Sequence, residues 1–170
     1  MNSLKTSRLI LRKFALSDAE DAYSNYCSDP RVTEFLSWDI HKNILETKRI
    51  ISSWIDSYKE DTFFQWAIEF KENHQIIGSI GVGSIEDNIP EIGYSLGYFY
   101  WGKGIMSEAL HAVEEYLFSL GYKAIRISTN KDNIRSNKLI IKNGYTFEKE
   151  APALVKGHNP LDNVYIKRNS

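Results

Sequence analysis

The sequence predicts an α+β fold on a mixed sheet. Three observations carry that prediction: helical patterns lead the chain, a hairpin-rich β region fills its middle, and a strand–helix–strand–helix–strand half closes it. The opening run RLILRKF alternates as a strand does, with Leu9, Leu11 and Lys13 on one face and Ile10 and Arg12 on the other. Ser17 followed by Glu20 has the pattern of a capping box and opens a helix through about Ser28 that ends at Asp29-Pro30. Asn43 with Glu46 repeats the signal, and the helix behind it carries Ile44, Ile51, Trp54, Ile55 and Tyr58 at helical spacing.

FFQWAIEF and IIGSIGVGSI are strands joined by a KENHQ hairpin, and EIGYSLGYF is a further strand. From Ile105 to Leu120 the apolar residues Ala109, Ala112, Val113, Tyr116 and Leu117 complete an amphipathic helix, stopped by Gly121. KAIRIST is a strand and IRSNKLIIKNG a short helix. YTFEKE and NVYIKR are the last strands, with residues 151–162 a loop marked by Pro152, Gly157 and Pro160.

A chain of 170 residues fits one domain over 1–170. The net charge of -1 excludes a whole-molecule field that recruits nucleic acid or an anionic membrane, so any anion site must be local. Cys27 is the only cysteine, which excludes an internal disulfide and a CxxC cluster. His41, His74, His111 and His158 stand apart, so no metal site is expected. No stretch suits a signal peptide or a bilayer span, and a cytoplasmic protein is expected.

The stretch YWGKGIMSEAL places Gly102-Lys103-Gly104 where a strand-like run becomes a helix. A helix N-terminus offers unpaired N–H groups and the positive end of its dipole, glycine permits close approach, and Lys103 adds charge. The spacing fits neither a Walker loop nor a dinucleotide fingerprint, which leaves a connecting turn or a different diphosphate site. Upstream, Gly93, Ser95 and Gly97 share one face of a strand, opposite Ile92, Tyr94, Leu96 and Tyr98. A face that thin suits either an elongated ligand or closely packed protein.

With these residues the chain resembles the GNAT superfamily of acyl-CoA-dependent N-acetyltransferases, and within it the Rim-type ribosomal-protein N-terminal acetyltransferases. The resemblance spans nearly the whole chain, through TSRLILRKFALSDAEDAY, EIGYSLGYFYWGKGIMSEAL and NIRSNKLIIKNGYTFE. It implies a mixed, mostly antiparallel central sheet of about seven strands flanked by about four helices, splayed between the fourth and fifth strands. It also implies acetyl-CoA as acyl donor, an amine acceptor, no nucleic-acid or membrane partner, and an architecture in which a homodimer is common. Cofactor contacts would come from Leu96, Gly97 and Tyr98 toward the pantetheine arm. Trp101, Gly102, Lys103, Gly104, Ile105, Met106 and Ser107 would surround the diphosphate, and Asn133, Ser136, Asn137 and Lys142 would form a second segment. Asn133 and Ser136 also read as ordinary helix capping. Three positions depart from the family pattern: Trp101 and Met106 replace a Gln or Arg and a Gly or Ala, and Ile140 stands where many relatives carry a tyrosine acid.

Acetyl transfer needs a neutral amine, a polarised thioester and an outlet for the thiolate. Glu91, at the start of the thin-faced strand, is the candidate base through a water, or else an exposed strand-end carboxylate. Ser136 is the candidate acid. Cys27, without a basic neighbour in sequence, suits the core better than a ping-pong mechanism, so direct attack in a ternary complex is expected. The acceptor reads as a protein N-terminal α-amine. The alternatives are a polyamine, amino acid or aminoglycoside-type amine, or a catalytically silent acyl-CoA-binding module.

Overall fold

The computed structural model describes residues 1–155 and 157–169; Lys156, in the expected 151–162 loop, and Ser170 lie outside the described residues. The chain divides into two compact units. One comprises Met1–Glu34, Trp38–Gly81 and Tyr94–Ala112; the other comprises Phe35–Ser37, Val82–Gly93 and the chain from Val113 on.

In the first unit, β1 (Leu4–Lys5) pairs antiparallel with β2 (Leu9–Arg12), β2 with β3 (Gln65–Phe70), and β3 with β4 (Gln75–Glu86). The alternation read in the sequence is real. Leu9 and Leu11 are wholly buried beside Trp66, Ile68 and Ile80, whereas Lys13 falls beyond the strand and is exposed.

The first helical run differs from the expectation. It begins as a tight 3-10 turn over Leu16–Asp18, relaxes into α1 (Ala19–Ala22), and widens further into a π turn over Tyr23–Cys27. Asp18, not the Ser17–Glu20 pair, holds its start: the Asp18 carboxylate accepts from the Ala15 N–H at 2.8 Å and from both Arg12 Nη atoms at 2.8 and 2.9 Å. A carboxylate that caps a turn and pairs a guanidinium outcompetes a lone hydroxyl. The run ends where read, at Cys27 with Ser28 as its C-cap, and Pro30 opens a separate short helix. That proline occupies the first position of α2 (Pro30–Thr33), where its missing N–H costs nothing, and Asp29 caps it by accepting from the Arg31 amide.

α3 (Ile44–Ser57) starts as read: Asn43 Oδ1 accepts from the amides of Leu45 and Glu46 at 3.0 and 3.3 Å, and Glu46 reaches back to the Lys42 amide. Its Ile51 is buried, and Trp54 packs on Phe14 with ring centroids 4.9 Å apart.

The far end of β4 meets β5 (Ile89–Leu96) through Asp87 and Asn88, both left-handed with φ 53° and 61°, the geometry of a two-residue hairpin turn. α4 (Ile105–Ser119) stops at Gly121, whose φ of 96° suits glycine. In the second unit follow β6 (Ala124–Asn130), α5 (Ile134–Lys142), β7 (Thr146–Pro152) and β8 (Leu161–Arg168). β8 inserts between β6 and β7 and runs antiparallel to both. The expected 151–162 loop therefore shrinks, because β7 runs on to Pro152. Lys167 of β8 reaches the buried Glu114 of α4 at 2.6 Å.

The described sheet has eight strands in the order β1-β2-β3-β4-β5-β6-β8-β7. The eighth is the two-residue β1, too short to leave a periodic signal, and the fifth helix is α2. With β1 set aside, the fourth and fifth strands are β5 and β6. They run parallel and their ladder is one rung long, Glu91 with Arg126, which is the expected splay.

Asp18 is nearly buried and serves both Arg12 and the Ala15 amide, while Arg12 also pairs with Glu69 at 2.7 Å. Asp18→Ala should therefore cost about 2–4 kcal/mol in urea unfolding, with the m-value unchanged. A loss below about 0.5 kcal/mol would show that Glu69 alone satisfies Arg12.

Candidate functional site

In the first unit the predicted segment begins where β5 ends. Gly97 donates its N–H to the Ile77 carbonyl at 2.7 Å. A Cβ on Gly97 would stand 2.8 Å from the Asn25 carbonyl oxygen and 3.2 Å from that of Ile77, so glycine is required there by protein backbone. Ser95, its neighbour on the thin face, is buried with its hydroxyl 3.0 Å from that of Ser79. In the second unit, by contrast, a Cβ on Gly93 would meet nothing within 4 Å.

After Gly97 the chain makes a 3-10 turn over Tyr98–Tyr100, closed by the Tyr100 amide on the Gly97 carbonyl at 2.9 Å and the Trp101 amide on the Tyr98 carbonyl at 3.1 Å. Trp101 then folds back, its indole N–H donating to the Leu96 carbonyl at 2.8 Å. That bond explains the departure at this position: the indole staples the end of β5 to the loop that follows. The carbonyls of Leu96, Gly97 and Tyr98 thus each hold a protein donor.

The loop itself turns through Gly102 and Gly104, with φ of 73° and 74°, a region other residues enter only with strain. The Glu108 amide is bonded to the Gly104 carbonyl at 3.1 Å and so opens α4. Among the described residues, the amides of Gly102, Lys103, Gly104, Ile105 and Met106 find no acceptor. The side chains of Ile105 and Met106 are buried, so these residues present main chain only. A methionine is accommodated in place of a small residue because it points into the core. Lys103 is exposed, its ammonium 5.8 Å from the Tyr100 ring centroid. Ser107 follows in the first turn of α4.

Sequence reasoning missed the group that holds this loop. Glu108 accepts from the Thr6 hydroxyl at 2.6 Å, the Arg8 amide at 2.7 Å and Arg8 Nε at 2.7 Å. Arg8 Nη1 continues to the Lys103 carbonyl at 2.9 Å. Burial pushes the Glu108 carboxyl up, but the Thr6 hydroxyl and the Arg8 amide and guanidinium together hold it below the usual carboxylate range. About a hundred residues separate these partners, so no local spacing could reveal the pairing.

The second unit places the other candidates. Asn133 caps α5: its Oδ1 accepts from the Ser136 amide at 3.1 Å, while its Nδ2 has no acceptor among the described residues. The capping and ligand readings of Asn133 are thus compatible, since they use different atoms. Asn137 is fully engaged. Its Nδ2 donates to the carbonyls of Asn130 and Asn133 at 2.9 and 2.8 Å, and its Oδ1 accepts from Asn163 and Tyr165 at 2.9 and 2.7 Å. Lys142 is exposed at the other end of α5, about 13 Å along the axis from Asn133. Ile140 is wholly buried.

Glu91 is half-buried opposite Arg126, and its carboxylate has no hydrogen bond or ion pair among the described residues. Arg126 is engaged by Glu148 through two bonds of 2.7 and 3.1 Å. Its guanidinium pKa is raised by Glu148 first, and more weakly by Asp87 and Glu91.

Cys27 is buried, and burial pushes its thiol up to about 12, which leaves almost no thiolate near neutral pH. Among the described residues no group of three His, Cys, Asp or Glu is arranged to hold a metal ion, and no helix is long and apolar enough to cross a membrane.

A sequence profile of the acetyltransferase (GNAT) domain matches residues 8–146. Over 153 residues the chain is 36% identical to the uncharacterised N-acetyltransferase p20 of Bacillus licheniformis, covering 88% of this chain and 84% of that protein. It is 37% identical over 104 residues to the ribosomal-protein-serine acetyltransferase of Escherichia coli K12, covering 58% of this chain and 57% of that one. Among solved structures, the microcin C7 self-immunity acetyltransferase MccE, in complex with acetyl-CoA and AMP, aligns with a TM-score of 0.85 at 22% identity over 96% of this chain and 94% of that chain.

Two measurements check this geometry. Because the Glu108 pKa is depressed in the folded state, its contribution is full above the ordinary carboxylate range and fades as pH falls through the folded pKa. The stability gap between the native chain and Glu108→Gln should accordingly be largest near pH 7 and shrink toward pH 3; a gap independent of pH contradicts the clamp. Gly97→Ala should cost about 1–3 kcal/mol, because both obstructing atoms are backbone.

Proposed function

The chain belongs to the GNAT family of acetyltransferases, and from that premise we propose that it transfers the acetyl group of acetyl-CoA to a protein N-terminal α-amine by direct attack in a ternary complex. The observation that carries this reading is the run of amides from Gly102 to Met106, without acceptors among the described residues where the 15-residue α4 begins. Such amides, at the positive end of a helix dipole, suit the diphosphate of a coenzyme A.

Along β5, the main chain at Leu96, Gly97 and Tyr98 would run beside the pantetheine arm, sharing carbonyls that already hold one donor each. The free Nδ2 of Asn133 offers the arm a donor, and Ser136 would stand near the sulfur. Lys142, exposed, would meet the nucleotide end of the coenzyme. Asn137 would contribute by fixing the turn that carries Asn133, not by a polar contact of its own.

The amine must lose its proton before it attacks. Neutralising an α-amine at pH 7 costs about 1–1.4 kcal/mol, against about 4.6 kcal/mol for a lysine side chain. A modest base suffices for the first acceptor, and Glu91, with no partner on its carboxylate among the described residues, fills that role through a water. The neutral nitrogen adds to the thioester carbonyl, and the carbon–sulfur bond breaks as the tetrahedral intermediate collapses; Glu91, having passed the first proton to solvent, takes the second proton from the nitrogen. The departing thiolate takes a proton from water, directly or through the Ser136 hydroxyl, which regains its own from water. Cys27, buried and protonated, takes no part, so no acyl-enzyme forms. The E. coli relative's action on a ribosomal-protein serine supports a protein N-terminus as acceptor.

A second reading rests on Ile140. Wholly buried, it presents no hydroxyl where many GNAT enzymes carry an acid, which suits a chain that binds acyl-CoA without turnover.

Incubation with acetyl-CoA and a panel of free N-terminal peptides, N-blocked lysine peptides and small amines, with release of free thiol as the signal, decides between them. Thiol release with the free N-terminal peptides is expected; release with small amines alone overturns the acceptor, and binding without release favours the silent module. Glu91→Gln should lower kcat at least tenfold near neutral pH. An unchanged kcat removes Glu91 from the mechanism.

A further inference from the structure

The loop ahead of α4 owes its orientation to a residue outside it. A trans peptide turns its carbonyl and its N–H to opposite sides. In the peptide joining Lys103 to Gly104, Arg8 Nη1 holds the carbonyl at 2.9 Å, which turns the Gly104 N–H away from Arg8. The next peptide is fixed from the other direction, since the Gly104 carbonyl accepts from the Glu108 amide at 3.1 Å. Glycine at position 104, with φ 74°, would otherwise let the first of these peptides rotate with little resistance.

The arginine is itself held. Its Nε binds Glu108 Oε2 and its amide binds Glu108 Oε1, each at 2.7 Å, and the Thr6 hydroxyl completes the carboxylate at 2.6 Å. One guanidinium thus ties a side chain of α4 to a carbonyl of the loop, using two different nitrogens in a fixed plane. A lysine ammonium is a single point and cannot span the two acceptors in that geometry.

We propose that Arg8 is a positioning residue for cofactor binding, aiming the Gly104 amide at the diphosphate by holding the Lys103 carbonyl. The inference rests on the coenzyme reading given under Proposed function. Arg8 acts through the loop, and its effect follows from the shape of its fork more than from its charge.

The test compares the full-length native chain with Arg8→Gln and Arg8→Lys, each checked for folding by thermal denaturation. Calorimetric titration with coenzyme A should show Kd raised about tenfold in both variants. In amide NMR, the shift that coenzyme A induces at Gly104 at saturation should be smaller in both, while amides in the middle of α4, such as that of Leu110, keep their native positions. Native affinity in Arg8→Lys, or an undiminished Gly104 shift in folded Arg8→Gln, overturns the proposal and leaves the coenzyme reading standing. A native chain that does not bind coenzyme A overturns the reading itself, which no Arg8 variant could do.

Discussion

Helix α4 begins without satisfying its own first turn. Among the described residues the amides of Ile105 and Met106 lack acceptors, and Glu108 is turned away and held by Thr6 and Arg8. A carboxylate near a helix N-terminus ordinarily neutralises the dipole there; here its charge is matched by a guanidinium instead. What remains is main chain with a positive bias, flanked by two left-handed glycines and an exposed lysine. The trait that makes this helix end costly in isolation makes it receptive to an anion. The burial of Ile105 and Met106 anchors the turn from behind, so receptivity does not require a floppy loop.

Much of this was legible in the sequence wherever the cause is local. The alternation of Leu9 to Arg12, the Asn43–Glu46 cap and the α4 stripe from Ile105 to Leu117 are each decided by neighbours a few residues away and appear as read, whereas Lys13 and Leu120 fall beyond their elements and are exposed. The first helical run was misread because three signals compete within a dozen residues. Asp18 serves Arg12 and the Ala15 amide at once, and a sequence pattern weighs a hydroxyl cap without seeing the guanidinium. Gly97 was recognised as a place of close approach, but only the structure identifies the approaching group as the Asn25 carbonyl. Arg8 and Glu108 were invisible as a pair for the reason that makes them effective: they join segments a hundred residues apart.

The asparagines of the second unit show how one residue type serves two ends. Asn137 spends every donor and acceptor on protein, so it defines a shape; Asn133 spends only its oxygen and keeps an amide in reserve. The family resemblance implied both as cofactor residues, because a motif records position along a helix and not what each polar atom is doing. Satisfaction of individual atoms, not residue identity, separates scaffold from site.

The terminal strand β7 lies at the outer border of the sheet, with β8 on one side and an open row of hydrogen-bonding groups on the other. Such a border invites a stranger's strand. Phe147, largely exposed, adds to the invitation, whereas Glu148, Lys149 and Glu150 in succession, followed by Pro152, refuse it through charge and a missing donor. Edge-to-edge pairing along this border is therefore opposed by Glu148, Lys149, Glu150 and Pro152, and apolar residues in their places would make it a better template for another strand.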